Sequence, residues 1–387
     1  MKMLRLPRSM VQIGQPLPWN VRDQQCVLLL SRGHVVESEH LLDELLQRGA
    51  FVDAEEVKSS ARDAAPQQPK APLPPPNIFD LWDQTRLELK TLLGGLATQS
   101  NFSEQIDQFA QRILALVDCN SDIGIYRCMR QENAQHFYYG YSHAVQTALL
   151  CILLARHLLW PAQRMMSLVK AALTMNLTIL DLQGQMAAQD VPMKDKQRAA
   201  IHAHPSECVE ILHNAGVTDA DWLAAVAQHH ERTDGTGYPA GVTEVCEMAV
   251  ALRVADVFMS KISPRVMHAA LSPQEATRQL YREDQGGPLS TAVIKVLGIY
   301  PPGDFVKLAS GELGIVVQRT SNVRAPIVAS ITDTSGHPVA HTVRRDSREK
   351  EFAIVSIASD KPLLSRLPPE RLFGFSNAPK IIATSAA

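Results

Sequence analysis

The sequence predicts a mainly α-helical protein with a small β-rich domain at its N-terminus and a β-rich extension near its C-terminus. From Ile78 to about Leu297, apolar residues recur at helical spacing almost throughout. Residues 58–77 are rich in proline and nearly free of bulky apolar side chains, which is typical of an extended linker. After Pro301-Pro302-Gly303 the pattern changes to short apolar runs separated by turn residues. We therefore expect four segments: 1–57, 58–77, 78–300 and 301–377.

Length and composition limit the classes of function. The chain has 387 residues, a formal net charge of -2 and 20% charged residues, so no basic field favours nucleic acid or an anionic membrane surface. The six cysteines show no Cys-x-x-Cys pairing, which favours a reducing compartment, and we expect a cytoplasmic protein without a targeting segment. The most apolar run, Ala148 to Ala155, is too short to span a bilayer.

The N-terminal segment contains strand-like runs at 11–14 and 25–30, followed by a helix predicted from Ser38 to Gln47 with Gly49 as its C-cap. The proline-rich segment is interpreted as a spacer, although a ligand for a proline-recognition domain is an alternative. Nothing in the first 57 residues resembles a catalytic site.

Helical periodicity predicts a series of helices after the linker. The first two begin near Phe79 and Ile106, and later ones cover 141–159, 161–182, 194–203, 205–215, 218–231, 247–262, 273–284 and 291–297. In the C-terminal segment, Phe305–Leu308 and Leu313–Val317 flank a turn and predict a hairpin, and 327–331 and 352–356 predict two more strands.

The most informative stretch runs from His229 to Pro239 and reads His-His-Glu-Arg-Thr-Asp-Gly-Thr-Gly-Tyr-Pro. Neighbouring residues in a helix point about 100° apart, so two adjacent histidines converge only where a helix ends. The loop that follows, with two glycines and a proline, supplies such an end. Both rings can therefore reach one cavity or two adjacent ions.

Three further positions carry a polar side chain that is expected to face the interior or a cleft. His143 shares a helix face with Thr147, Leu150 and Leu154, so its ring is expected to point inward. Asp256 lies on the apolar face of its helix, and a buried carboxylate needs either a metal or a histidine as partner. His204 directly precedes Pro205, which predicts that His204 stands at a helix start.

These residues resemble the HD-GYP family, whose members are metal-dependent phosphodiesterases that hydrolyse cyclic di-GMP. The family motif His-His-Glu followed by Asp-Gly-x-Gly-Tyr-Pro is complete here, and the resemblance spans roughly residues 136–300. It implies an HD-domain helical bundle with metal ligands at His143, His204, His229, His230 and Asp256. Arg265 takes the place of a phosphate-contacting arginine. The resemblance also assigns contacts with diguanylate cyclase domains to the loop formed by Asp234, Gly235, Gly237, Tyr238 and Pro239.

The chain departs from the family at four site positions. Where the family has His-Asp-Ile-Gly-Lys, this chain has Met175-Asn176-Leu177-Thr178-Ile179, and Tyr139 replaces a glutamate found in some members. A neutral amide bridges two cations poorly, a thioether is a soft ligand, and isoleucine cannot neutralise phosphate. We therefore expect one divalent metal, iron, manganese or zinc, at partial occupancy or absent, and assign no catalytic residue.

Three hypotheses follow. The first is a degenerate signalling protein with weak or no phosphodiesterase activity that acts as a sensor or partner-binding module for cyclic di-GMP or a related nucleotide. The second is an active phosphodiesterase with one metal or with recruited ligands, for which Asp181, His202 and His136 are candidates. The third is a helical scaffold without a ligand. No nucleic-acid partner and no membrane span are expected.

Overall fold

The computed structural model describes residues 3–36, 42–43, 45–46, 49–57, 77–96, 101–130, 136–358 and 368–374. The chain divides into two compact units, residues 1–74 and 75–387. The predicted linker lies outside the described residues except for Asn77, and the predicted helix Ser38–Gln47 lies largely outside them. The division into four segments therefore remains a prediction.

The first unit is built on an antiparallel sheet in the order β1-β4-β2-β3. Its strands are β1 Met3–Arg5, β2 Val21–Arg22, β3 Leu28–Leu30 and β4 Phe51–Asp53. A small apolar core that includes Trp19, Val21 and Val52 lies against it. The strand expected at 11–14 was wrong, because Gly14 adopts a left-handed φ of 80° that ends the extended run.

The second unit begins with ten helices of the described chain, which form its core. They are α1 Ile78–Gly94, α2 Phe102–Met129, α3 Tyr139–His157, α4 Ala162–Thr174, α5 Leu180–Ala188, α6 Asp195–Asn214, α7 Ala220–Gln228, α8 Glu247–Ile262, α9 Pro273–Glu283 and α10 Pro288–Leu297. A short 3-10 helix, His136–Tyr138, precedes α3.

Helix α3 is the central element of this unit. Nearly all of its residues from Gly140 to Ala155 are buried, and it packs against α4, α8, α5 and α2. A helix that is apolar on all sides belongs in the core, so the few polar residues on α3 are held at fixed positions inside the protein. His143 is one of them and is buried, as predicted.

Two predicted helix boundaries were wrong. The segment expected as one helix from 161 to 182 is broken into α4 and α5 by turns at 175–179. Thr174 ends α4 with its hydroxyl on the Lys170 carbonyl, 2.7 Å away, a side-chain bond that competes with the helical pattern. Conversely, the two helices expected on either side of His204 form the single helix α6, with Pro205 inside it.

The C-terminal strands form an antiparallel sheet in the order β8-β7-β6-β5-β9. They are β5 Phe305–Leu308, β6 Leu313–Gln318, β7 Ile327–Thr332, β8 Pro338–Asp346 and β9 Ile354–Ile357, and a short helix, α11 Pro369–Phe373, follows. The predicted β5–β6 hairpin is confirmed, whereas β8 was missed. One face of the sheet, with Phe305 and Ile315, joins the helical core.

The predicted fold class, mainly α with β-rich ends, is confirmed. Within the described ranges, no helix is both long and apolar enough to cross a lipid bilayer.

Candidate functional site

Three histidines from two neighbouring segments meet at the centre of the helical unit. His204 lies within α6, and His229 and His230 follow the last residue of α7. One ligand nitrogen of each ring lies within 4.8 Å of the others, and the ring centroids of His229 and His230 are 4.1 Å apart. Among the described residues, this is the group of histidines, cysteines or acids that could hold a metal ion.

Pro205 determines the orientation of the His204 ring. Proline has no N–H, so the carbonyl of Ile201, four residues earlier, lacks its usual helical donor. The His204 Nδ1 takes the place of that donor, 2.6 Å from the Ile201 oxygen. A carbonyl oxygen only accepts, so Nδ1 carries the proton and Nε2 presents a lone pair. The prediction that His204 begins a helix was therefore wrong, since this side-chain bond lets the helix pass through the proline.

His229 is oriented by the end of α7. The last carbonyls of a helix have no intrahelical donor, and the Val226 oxygen accepts from His229 Nδ1 at 2.7 Å. Its Nε2 is therefore also an acceptor, and it faces His204 Nε2 at 3.1 Å. Two lone pairs at this separation repel unless a proton or a cation lies with them.

Burial disfavours a proton on any of the three rings. It lowers the pKa of His204 to about 3, with His229 as a second cause. Burial likewise lowers the pKa of His229 and, together with the charge on His229, places that of His230 well below its ordinary value. The rings are therefore neutral near pH 7. Neutral imidazoles with converging acceptor nitrogens fit a divalent cation such as zinc, iron or manganese.

The other two predicted ligands pair with each other. His143 Nε2 lies 2.7 Å from Asp256 Oδ1, so a histidine is the partner that the carboxylate needs. Burial would raise the pKa of Asp256, but the hydrogen bond and charge of His143 lower it below the ordinary value. The Nδ1 atom of His143 is buried and makes no hydrogen bond with the described residues.

The Gly-Tyr-Pro loop folds over the histidines. Tyr238 stacks on both His230 and His202, with ring centroids 4.5 Å and 5.2 Å apart. Glu231, which the sequence reasoning did not single out, orders this loop: its carboxylate accepts from the backbone N–H groups of Ala240, Gly241 and Val242. The sequence did carry a signal for this role, because Glu231 directly follows the histidine pair and precedes the glycine-rich turn.

A cavity of about 440 Å³ opens beside the histidines. The histidine side of its lining includes His204, His230, Tyr238 and Asp256, and the remainder includes Tyr139, Asn176, Ile179 and Arg265. Met175 is fully buried within the apolar core instead. Thus three of the four departing residues line the same cavity as the histidines.

Two side chains from this cavity frame the His143–Asp256 pair. The Tyr139 ring lies parallel to that of His143, with centroids 5.8 Å apart and planes 4° apart. The Arg265 guanidinium lies 5.9 Å from the centre of the Tyr139 ring, and its Nε makes no hydrogen bond with the described residues. A cationic group is therefore available at the cavity wall.

The three residues considered as replacement ligands have other contacts. Asp181 accepts from the Tyr141 hydroxyl at 3.0 Å, His202 stacks on Tyr238, and His136 lines a different cavity. In the described part of the chain, none joins the three-histidine group.

Comparisons with known proteins cover the region that contains this site. A family profile for the HD domain matches residues 128–286. The chain is 28% identical over 185 residues to the cyclic di-GMP phosphodiesterase PA4108 of Pseudomonas aeruginosa, covering 47% of this chain and 45% of that protein. It is also 28% identical over 141 residues to the 3'3'-cGAMP-specific phosphodiesterase 3 of Vibrio cholerae, covering 36% of this chain and 30% of that protein. The chain therefore spans less than half the length of these curated relatives.

Among solved structures, Bd1817, a HDG"Y"P protein from Bdellovibrio bacteriovorus, superimposes with a TM-score of 0.46 and 17% identity, over 75% of this chain and 97% of that chain. The HD-domain match includes all three histidines, Asp256 and the Gly-Tyr-Pro loop, and the relatives in sequence are cyclic dinucleotide phosphodiesterases. Residues 128–286 therefore form an HD domain, and its relatives in sequence support the predicted resemblance to the HD-GYP family.

Proposed function

We propose that this chain is an HD-GYP signalling protein that binds a cyclic dinucleotide beside one divalent metal ion and hydrolyses it weakly or not at all. The observation that carries the proposal is the 3.1 Å approach of two acceptor nitrogens, on His204 and His229, at a cavity whose lining contains Asn176 and Ile179. The first feature favours a cation, and the second removes the groups that a second cation and a phosphate would need.

His204, His229 and His230 would hold the metal. A bound metal of this kind supplies Lewis acidity toward a phosphoryl oxygen and lowers the pKa of coordinated water. The backbone carbonyls of Ile201 and Val226 fix two of the rings, and such outer contacts raise both the basicity and the rigidity of a ligand. The paired His143 and Asp256 form the adjoining wall.

The cavity retains one group suited to phosphate. Arg265 contributes a guanidinium to the lining, whereas Ile179 contributes only aliphatic carbon. The position of Asn176 offers a neutral amide where the family resemblance implies a bridging carboxylate. Binding of a phosphodiester is therefore better supported than its cleavage.

The proposed class of nucleotide is inferred from the relatives in sequence. One acts on cyclic di-GMP and the other on 3'3'-cGAMP by their names, so a cyclic dinucleotide is the shared chemistry. A protein partner of the diguanylate cyclase type would contact the loop at the exposed Asp234, because the Tyr238 ring already stacks on His202 and His230.

The alternative function is an active phosphodiesterase with a mononuclear site. The observation that favours it is the retention of three converging histidines next to a paired carboxylate, which a protein that only binds partners would not require. The two functions differ in turnover and not in ligand.

The test measures binding and hydrolysis of cyclic di-GMP and 3'3'-cGAMP on the full chain loaded with manganese, iron or zinc. Calorimetry gives the affinity, and chromatography of the products gives the turnover. His229→Ala is compared with His213→Ala, which changes an exposed histidine on α6. Micromolar or tighter binding with little hydrolysis, lost in His229→Ala and kept in His213→Ala, supports the proposal.

Two results decide against it. Rapid metal-dependent hydrolysis by the unmodified chain would establish the alternative function. Absence of both metal and nucleotide binding would leave only the helical scaffold.

A further inference from the structure

A second cavity, separate from the histidine cluster, lies among α1, α2 and α3. Its volume is about 300 Å³, and its lining includes Trp82 and Arg86 of α1, Gly124 of α2, and Tyr139 and Gln146 of α3. This volume is at the lower end for small-molecule sites. It is also smaller than the cavity of about 440 Å³ beside the histidines, which favours a small occupant.

Three side chains of this lining have buried polar atoms without a hydrogen-bond partner in the described structure. They are the indole Nε1 of Trp82, the Nε of Arg86 and the Oε1 of Gln146. Buried polar atoms in native proteins are nearly always paired. Three such atoms from two helices around one cavity therefore indicate that a polar molecule completes their hydrogen bonds.

The charge of the lining selects the kind of molecule. Arg86 makes no ion pair with any described residue, and its guanidinium lies 5.6 Å from the centre of the Tyr138 ring. Among the described residues of the lining, Arg127, Arg130 and His136 are further basic side chains and Asp83 is the one acid, which pairs with Arg127. An indole N–H and an uncompensated guanidinium are donors only, so they suit an oxyanion.

The cavity depends on a close approach between α1 and α2. A Cβ added at Gly124 would lie 2.8 Å from Trp82 Cζ2 and 2.5 Å from Leu149 Cδ1. Only glycine at this position lets the indole lie against the α2 backbone. The tryptophan is therefore held by packing on one side, while its N–H remains without a partner.

We propose that this cavity is a second ligand site for a small oxyanion-bearing molecule, a phosphate ester or a carboxylate, whose oxyanion accepts from Arg86 and Trp82 and whose hydroxyl or other donor group meets the Gln146 Oε1. The inference does not rest on the proposed function. Tyr139 lines both cavities and stacks on His143. A ligand bound in this second cavity would therefore affect the position of Tyr139, which lies beside the His143–Asp256 pair.

Nuclear magnetic resonance of the indole N–H groups tests the site directly. The chain has four tryptophans, so Trp82→Phe identifies the Trp82 signal by its loss. The probes are inorganic phosphate, GMP and malonate, titrated separately into the full chain. We expect the Trp82 signal to move in a saturable way with at least one of them, and comparison of phosphate with malonate assigns the oxyanion class.

Two variants and two controls make the test decisive. Arg86→Met removes the guanidinium, and Gln146→Glu, nearly the same shape, places a negative charge beside the oxyanion; each should weaken binding about tenfold or more. Arg112→Met, which changes a partly exposed arginine paired with Glu88, should leave the affinity unchanged. His229→Ala should also leave it unchanged, which separates this site from anion binding at a metal.

The proposal is overturned if no probe moves the Trp82 signal. It is equally overturned if the signal moves with the same affinity in Arg86→Met and Gln146→Glu as in the unmodified chain, or if His229→Ala abolishes the shift.

Discussion

The two sides of the histidine cavity have the same kind of local structure but different chemistry. On one side, a proline inside α6 and the end of α7 leave carbonyls that orient His204 and His229. On the other side, the turn between α4 and α5 places Asn176 and Ile179 in the lining. Both sides use irregular backbone to aim side chains, but one presents neutral imidazoles and the other an amide and an aliphatic chain.

The difference shows that the fold can be kept while half of a site changes. Met175 is fully buried in the core, and the backbone carbonyl of Asn176 accepts from Ile179 N–H at 2.9 Å to close the turn. Nearby, the Thr174 hydroxyl accepts from the Trp222 indole at 2.8 Å. These packing and backbone roles do not require a charged side chain at 175 or 176. The histidines have no comparable packing role, because the facing lone pairs of His204 and His229 destabilise the folded state unless a cation lies between them.

The largest effect is expected on metal affinity when one of the three histidines is removed. His229→Ala removes the Nε2 that faces His204, so the affinity for zinc or manganese should fall by more than about 100-fold, beyond what loss of an outer contact costs. Competition with a metal chelator measures the affinity. The exposed-histidine variant His213→Ala should retain the original value, and equal metal binding in both variants would remove the three-histidine assignment.

In the metal-free protein, the same three histidines should make the free energy of unfolding depend on pH. The pKa values of His204, His229 and His230 are lowered in the folded state, so below about pH 6.5 the unfolded chain binds protons that the folded chain does not. The free energy of unfolding should therefore decrease as the pH falls from 6.5 toward 5, by at most about 1.4 kcal/mol per pH unit for each histidine.

Denaturant unfolding after chelator treatment measures this slope. His204→Gln should make it shallower, whereas His213→Gln should not change it. A slope of the opposite sign, or one insensitive to His204→Gln, would contradict burial of neutral rings.

Pro205→Ala tests the orienting role of the proline. The new N–H competes with His204 Nδ1 for the Ile201 carbonyl, so metal affinity should fall by about tenfold. Stability of the metal-free chain should instead rise, because proline inside a helix costs up to about 3 kcal/mol relative to alanine. Metal competition and thermal unfolding measure the two effects, with Glu207→Ala as a control on the exposed face of α6. A rise or no change in metal affinity would show that the proline does not set the ring.

Much of this architecture could be predicted from the sequence, because it depends on local patterns. The helix at 247–262 and the β5–β6 hairpin follow directly from apolar periodicity and turn residues. The inward position of His143 follows from its helix face. The family motif from His229 to Pro239 marked the segment that closes the site.

The features that could not be predicted depend on contacts between distant residues. Pro205 marks a helix boundary in most sequences, and only the bond from His204 to Ile201 shows why α6 continues. Pairing of His143 with Asp256 joins residues 113 positions apart, and no periodicity distinguishes it from metal binding. The cavity at Trp82 likewise arises where three helices meet.

The central claim is that the histidine side holds a metal ion while the α4–α5 turn cannot hold a second. Elemental analysis of the purified chain, beside the double variant Met175→His/Asn176→Asp, tests it most directly. We predict no more than one metal per chain in the unmodified protein and a higher ratio, with increased cyclic di-GMP hydrolysis, in the double variant. Two metals per unmodified chain would contradict the account.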